Sequence, residues 1–220
     1  LTPDCFELNL GPKNVRYPGY HELAYLHPSN FKPDKSILES LKVNQDEKFT
    51  IMRFVSWKSA YHDSGQSGLS LEMKKLAVKE LSRYSKVFIT SEKQLPKSLE
   101  KYRVEIPQSK IHDALYFSSL YFGDGGTMAS ESAVLGVPAI FVSSLTTGYL
   151  NEAENKYQLI ERHHSTDTGF SNALSKCIEI LKNNKSKELW KSKKDSFLKD
   201  KIDVTKYLFN FIVEGKPRHI

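Results

Sequence analysis

The sequence has 220 residues, 39% of them hydrophobic, and 32 basic against 26 acidic side chains give a formal net charge of +6. That length and apolar content suffice for one large or two small domains with a real core, which excludes global disorder. No apolar run approaches the ~18 residues that cross a bilayer, no signal-peptide pattern opens the sequence, and two cysteines, Cys5 and Cys177, are no disulfide framework and fit a reducing, cytoplasmic compartment.

Residues 1–34 are broken by Pro3, Pro12, Pro18, Pro28 and Pro33 and read as a linker or hinge with a helical turn in "YPGYHELAYLHP". "PDKSILESLKV" follows as a short helix. "KFTIMRFV" predicts a buried strand, and "SLEMKKLAVKELSRY" a helix with Leu71, Leu76, Val78 and Leu81 as its apolar positions. "KVFITS" is a strand, "QLPKSLEKY" a short helix, "VEIP" a strand and "QSKIHDALYFS" a helix. "LYFGD", "TMASESAVLG" and "PAIFVS" predict strand, helix and strand. "TGFSNALSKCIEILKNN" and two segments after it read as C-terminal helices, with Cys177 as a small core residue. Short apolar runs alternating with helices predict an α/β domain, a Rossmann-like doubly wound parallel sheet covered on both faces, with a helical C-terminal tail. Basic residues concentrate between Lys182 and Lys201. They read either as a solvated helix face or as an attraction for an anionic membrane surface or a phosphate-bearing substrate. No recognised nucleic-acid motif accompanies them, so no nucleic-acid partner is expected.

In such a sheet, ligands bind beyond the carboxyl ends of the strands, and the Gly123–Thr127 turn falls there. Gly125 and Gly126 can take positive φ and let a ligand approach the backbone. A helix starting near Thr127 aims unpaired N–H groups at that space and favours an anion such as a diphosphate. Ala129, Ser130, Ser132 and Ala133 keep that helix slim, and Glu131 sits about one turn in. Its carboxylate can accept from a pair of sugar hydroxyls, as an acid does in dinucleotide folds; the alternative is an ordinary exposed glutamate on a tight turn. The motif is neither GxGxxG nor a Walker A loop.

A second candidate loop is "IMRFVSWKSAYHDSGQSGLSLEM", a connection of a length more often functional than idle. Arg53 either clamps a phosphate or pairs with a neighbouring carboxylate. His62 either donates to a departing phosphate oxygen or bonds to loop backbone, and Asp63 orients it only if the fold brings the two together. Ser67 and Gly68, or Ser70, are placed to cap the next helix beside the ligand. Ser91 and Glu92 lie near the expected cleft or on a surface loop; His112 reads as packing or capping. His163 and His164 lack a third partner at metal-ligand spacing, so no metal site and no cofactor are expected.

"DGGTMASESAVLGVPAIFV" resembles the nucleotide-sugar motif in the C-terminal domain of the glycosyltransferase-B superfamily, which includes the peptidoglycan N-acetylglucosaminyltransferase and the UDP-N-acetylglucosamine 2-epimerases. The resemblance places Gly125, Gly126 and Thr127 on the phosphate-facing turn, Glu131 on the ribose-binding acid and Gly136-Val-Pro138 on the helix-to-strand exit. Five stretches, "YHELAYLHPSNFKPD", "MRFVSWKSAYHDSGQSG", "IHDALYFSSLYFGDGGTMASESAVLGVPAI", "YLNEAENKY" and "KIDVTKYLFNFI", resemble a two-domain branch of that superfamily, of the domain of unknown function 354 type, found in prokaryotic surface-polysaccharide contexts.

That resemblance implies the C-terminal, donor-nucleotide half: residues 1–34 as the hinge from a preceding Rossmann-like domain, and residues 35–220 as the nucleotide-sugar-binding domain. It implies a glycosyltransferase-like protein taking a UDP-sugar, with backbone at Ile106 holding the base and a saccharide or lipid-linked acceptor. Arg53 and His62 are the candidate catalytic residues; Ser67 and Gly68 join the turn in binding nucleotide. The acceptor site would belong to the preceding domain, so this chain alone is expected to turn over little. The alternatives are a 2-epimerase-like or hydrolytic nucleotide-sugar enzyme, whose compact His-Arg-x-Glu-Asn run this loop lacks, and a non-catalytic interaction module. The expected location is cytoplasmic, with peripheral membrane contact through the Lys-rich region.

Overall fold

The apolar runs pair side by side in the computed structural model, which describes residues 1–55, 68–91, 94–145 and 147–215. Two short strands, β1 (Thr2–Pro3) and β2 (Arg16–Tyr17), pair in parallel near the start. The main sheet contains β3 (Phe49–Phe54), β4 (Lys86–Ser91), β5 (Leu120–Gly123), β6 (Ala139–Val142) and β7 (Ile160–His163). All five are parallel, in the order β4-β3-β5-β6-β7. β3, β5 and β6 are buried along nearly their whole length, as strands covered on both faces must be.

The helices are α1 (Leu23–Leu26), α2 (Ser36–Ser40), α3 (Leu71–Leu81), α4 (Lys97–Glu100), α5 (Ile111–Phe117), α6 (Gly126–Leu135), α7 (Gly148–Asn155), α8 (Asp167–Lys182), α9 (Ser186–Lys199) and α10 (Val204–Glu214). The chain leaves β3 towards β4 in one direction and, after β5, runs to β6 and β7 in the other. Right-handed crossovers therefore put α3 on one face and α5, α6 and α7 on the other. α8 returns to the first face, against β5, β6, β7 and α3. The direction of winding reverses between β3 and β5, and the crevice beyond their carboxyl ends is the switch point where ligands bind in open α/β sheets.

Within residues 1–34, the stretch around α1 packs on this body. Tyr20 and Leu23 are fully buried, and α1 lies against α6 and α10. Lys201 anchors the same region: its ammonium is 2.8 Å from Glu152 and lies over the rings of Tyr20, Tyr157 and Phe197.

The predicted strand over Val104–Pro107 does not form. Arg103 makes a single parallel bridge to Ile89, with Ile89 N–H on Tyr102 O at 2.8 Å and Val104 N–H on Ile89 O at 3.1 Å. The chain then leaves the edge, because Glu105 and Pro107 are exposed and Pro107 has no N–H to donate. In the other direction, β7 and α7 were not predicted. Only Ile160 of the β7 run "IERH" is buried, so this edge strand shows no apolar run. α9 buries Trp190 and Phe197 and leaves Lys187, Lys191 and Lys199 in solvent. No helix among the described residues is long and apolar enough to cross a membrane.

Candidate functional site

Arg53 at the end of β3 is in register with Gly123 at the end of β5. A Cβ on Gly123 would lie 2.3 Å from the Arg53 carbonyl oxygen and 2.9 Å from the Tyr121 hydroxyl, so only glycine fits. Gly125 and Gly126 do not use the positive φ that the sequence suggested: Gly125 has φ −99°, and Gly126 opens a helix. Their value is closeness instead. A Cβ at Gly125 would sit 3.2 Å from Arg53 Cγ and Val55 Cγ1, and one at Gly126 3.3 Å from Leu145 Cδ2. The Tyr121 hydroxyl donates to Gly125 O at 2.8 Å and fixes the turn from below.

α6 begins at Gly126, and its N-cap, Gly125, has no side chain to offer. The N–H groups of Gly126, Thr127 and Met128 find no acceptor among the described residues. Thr127 is exposed and Met128 half-buried, whereas Ala129–Leu135 are buried, so the start of the helix is its accessible turn. Unsatisfied N–H groups at an open helix start favour an anion.

Asp124, which sequence reasoning passed over, is 1% exposed. Its carboxylate accepts from Val55 N–H at 2.9 Å and Leu69 N–H at 3.2 Å, with Lys74 Nζ at 4.0 Å. It thus ties both stems of the β3–α3 loop to the glycine turn. A charged residue between glycines at a strand end was the available signal. Gly68 is half-buried at the end of that loop, and Ser70 caps α3 by accepting from Met73 N–H at 3.2 Å. His62, Asp63, Ser67 and Glu92 lie outside the described residues.

Beside the turn opens a cavity of 370 Å³ lined by Arg53, Ser91, Arg103, Ile106, Gln108 and Met128 among others. The fold thus brings Arg53, Ser91, Ile106 and the start of α6 to one cleft. A second cavity of 400 Å³, lined by residues including Lys35, Lys48 and Asn184, lies at the opposite end of the sheet, and no glycine lines it.

Glu131 is neither an exposed surface glutamate nor a lining residue of the 370 Å³ cavity; Met128, one turn earlier, is the residue that lines it. Glu131 is 9% exposed, and its Oε1 is 3.0 Å from the Tyr25 hydroxyl and 3.0 Å from His112 Nε2. Burial, then the Glu131 charge, pushes the Tyr25 hydroxyl far above its ordinary range, so it stays protonated and donates. Burial also raises the neighbouring Glu22. Sequence reasoning read His112 as packing or capping and gave Tyr25 no role, because neither is near Glu131 in the chain. His163 Nε2 is 3.0 Å from Glu161 Oε1, and no group of three or more His, Cys, Asp and Glu among the described residues is disposed to hold a metal ion.

Solved structures share this fold. A putative UDP-N-acetylglucosamine 2-epimerase from Listeria monocytogenes superposes with a TM-score of 0.58 at 15% identity, over 90% of this chain and 53% of that one. A second UDP-N-acetylglucosamine 2-epimerase gives 0.57 at 9% identity, over 95% and 54%. The glycotransferase of kitacinnamycin gives 0.51 at 11% identity, over 87% and 46%. The chain therefore spans about half the length of these structures, and its fold is a Rossmann-like half of the glycosyltransferase-B type. No curated protein matches the sequence. Residues 4–210 match the family model described as "Protein of unknown function (DUF354)", and the chain belongs to that family.

Proposed function

We propose that this chain holds the donor nucleotide sugar, a UDP-sugar, of a glycosyltransferase acting in surface polysaccharide or glycoconjugate synthesis. The observation that carries the reading is the uncapped first turn of α6, opening at the switch point beside Arg53. In this reading the diphosphate rests on the N–H groups at Gly125, Gly126 and Thr127, the base lies near Ile106, and Glu131 takes the ribose hydroxyls. Cleavage of the sugar–phosphate bond leaves negative charge on the departing diphosphate. The α6 dipole and Arg53 stabilise that charge as it develops, so no metal ion is needed for it. His62 is assigned a hydrogen bond or proton to the leaving oxygen, with Ser67 and Gly68 as further phosphate contacts. The acceptor, a saccharide or lipid-linked sugar, and the catalytic base are assigned to a preceding domain. The exposed lysines of α9 are assigned a peripheral contact with the inner face of the membrane.

Calorimetry with UDP, GDP and UDP-N-acetylglucosamine tests this reading. UDP is expected to bind at or below millimolar concentration; absence of binding by all three would refute it. Release of UDP with a 2-epimerised sugar in the absence of acceptor would favour the epimerase. Binding to anionic vesicles that survives Glu131→Ala, without nucleotide binding, would favour an interaction module.

A further inference from the structure

Glu131 is held on one side only. A carboxylate offers about four lone-pair sites on its two oxygens. Two donors from different elements, Tyr25 on α1 and His112 on α5, converge on Oε1, each at 3.0 Å. Oε2 takes no hydrogen bond among the described residues. The donors are themselves fixed: the Tyr25 and His112 rings pack with centroids 5.3 Å apart, and Phe31 meets the His112 ring edge-on at 6.4 Å. A hydrogen bond to Oε1 requires the His112 tautomer that carries its proton on Nε2.

We infer that Tyr25 and His112 are positioning residues that lock the Glu131 carboxylate with Oε2 free for the vicinal hydroxyls of a ribonucleotide, so that the site selects ribo- over dideoxyribonucleoside diphosphates. The inference rests on the reading above that Glu131 grips the ribose, and it adds residues from two other elements to that grip. A fixed acceptor loses less entropy on binding than a rotating one. Tyr25 also lies in residues 1–34, so this arrangement links the packing of that segment to hydroxyl recognition.

The test measures the affinity of the 220-residue chain for UDP, its 2′,3′-dideoxy counterpart and pyrophosphate. Wild type is expected to prefer UDP to the dideoxy compound. Tyr25→Phe is expected to weaken UDP by about three- to tenfold, the worth of one hydrogen bond, and to leave the affinities for the other two ligands unchanged. His112→Leu does the same, while His112→Gln, which keeps a donor, retains most of the preference. Equal weakening of all three ligands would mean a merely structural role and overturn the inference. A wild-type preference that survives both Tyr25→Phe and His112→Leu would overturn the positioning role alone. A wild type that binds UDP and the dideoxy compound equally would overturn the ribose role of Glu131 and this inference with it.

Discussion

Removing the Asp124 carboxylate should loosen the candidate site from beneath. The side chain is 1% exposed and accepts from two main-chain N–H groups, Val55 at 2.9 Å and Leu69 at 3.2 Å. Asp124→Ala leaves both without that acceptor, Leu69 N–H in a buried place and Val55 N–H in a partly buried one, at ~1–3 kcal/mol each. The combined loss is about 2–6 kcal/mol. For a domain of this size that lowers the melting temperature by roughly 4–24 °C, at ~2–4 °C per kcal/mol. Asp124→Asn should lie between wild type and alanine. Its amide oxygen still accepts from one N–H, but its NH₂ group faces the other, donor against donor. Thermal melts of the three proteins, with urea titrations to check that the slope is unchanged, give the ranking wild type, asparagine, alanine. An alanine variant melting within about a degree of wild type would refute the reasoning, because the N–H groups would then have found other acceptors at little cost.

Three other outcomes follow from the same geometry. Lys201→Ala removes a cation whose side chain is 4% exposed and strands its partner Glu152, which is 21% exposed. The expected cost is about 2–4 kcal/mol, below that of a fully buried pair because water reaches Glu152; a melt shifted by less than a degree would contradict it. Glu22 is raised above its ordinary value of 4.5, mainly by burial. The folded state therefore binds its proton more tightly than the unfolded state, and Glu22 costs stability as pH rises through and above that value. Glu22→Gln should raise the melting temperature at pH 7, with the gain shrinking towards pH 4.5; a gain independent of pH would contradict this. Gly123→Ala forces a Cβ to within 2.3 Å of the Arg53 carbonyl. It should separate β3 from β5 at the site and cost at least the ~1–3 kcal/mol of overpacking, read by urea titration; a neutral result would contradict the close approach.

Much of the sheet was legible in the chain because its central strands are buried on both faces and appear as unbroken apolar runs, such as "FTIMRF" and "AIFV". β7 was not, since "IERH" buries one residue of four. "VEIP" misled in the opposite sense, having strand-like residues but a half-exposed edge and a proline at its end. The glycine turn and the helix start were legible because local chemistry sets them. The reason for Gly123 was not: that an added Cβ there would meet the Arg53 carbonyl of β3 at 2.3 Å is a tertiary fact. Tyr25 and Glu131 stand 106 residues apart and meet only once α1 has packed on α6, and His112 arrives from a third element. Single-sequence patterns carry no such pairing.

The most direct measurement is a UDP titration followed by backbone amide NMR. The account predicts that the largest shifts fall on Gly125, Gly126 and Thr127, with Ile106 and Arg53 following. Shifts confined to the other end of the sheet, around Lys35, Lys48 and Asn184, or no shifts at saturating nucleotide, would contradict it.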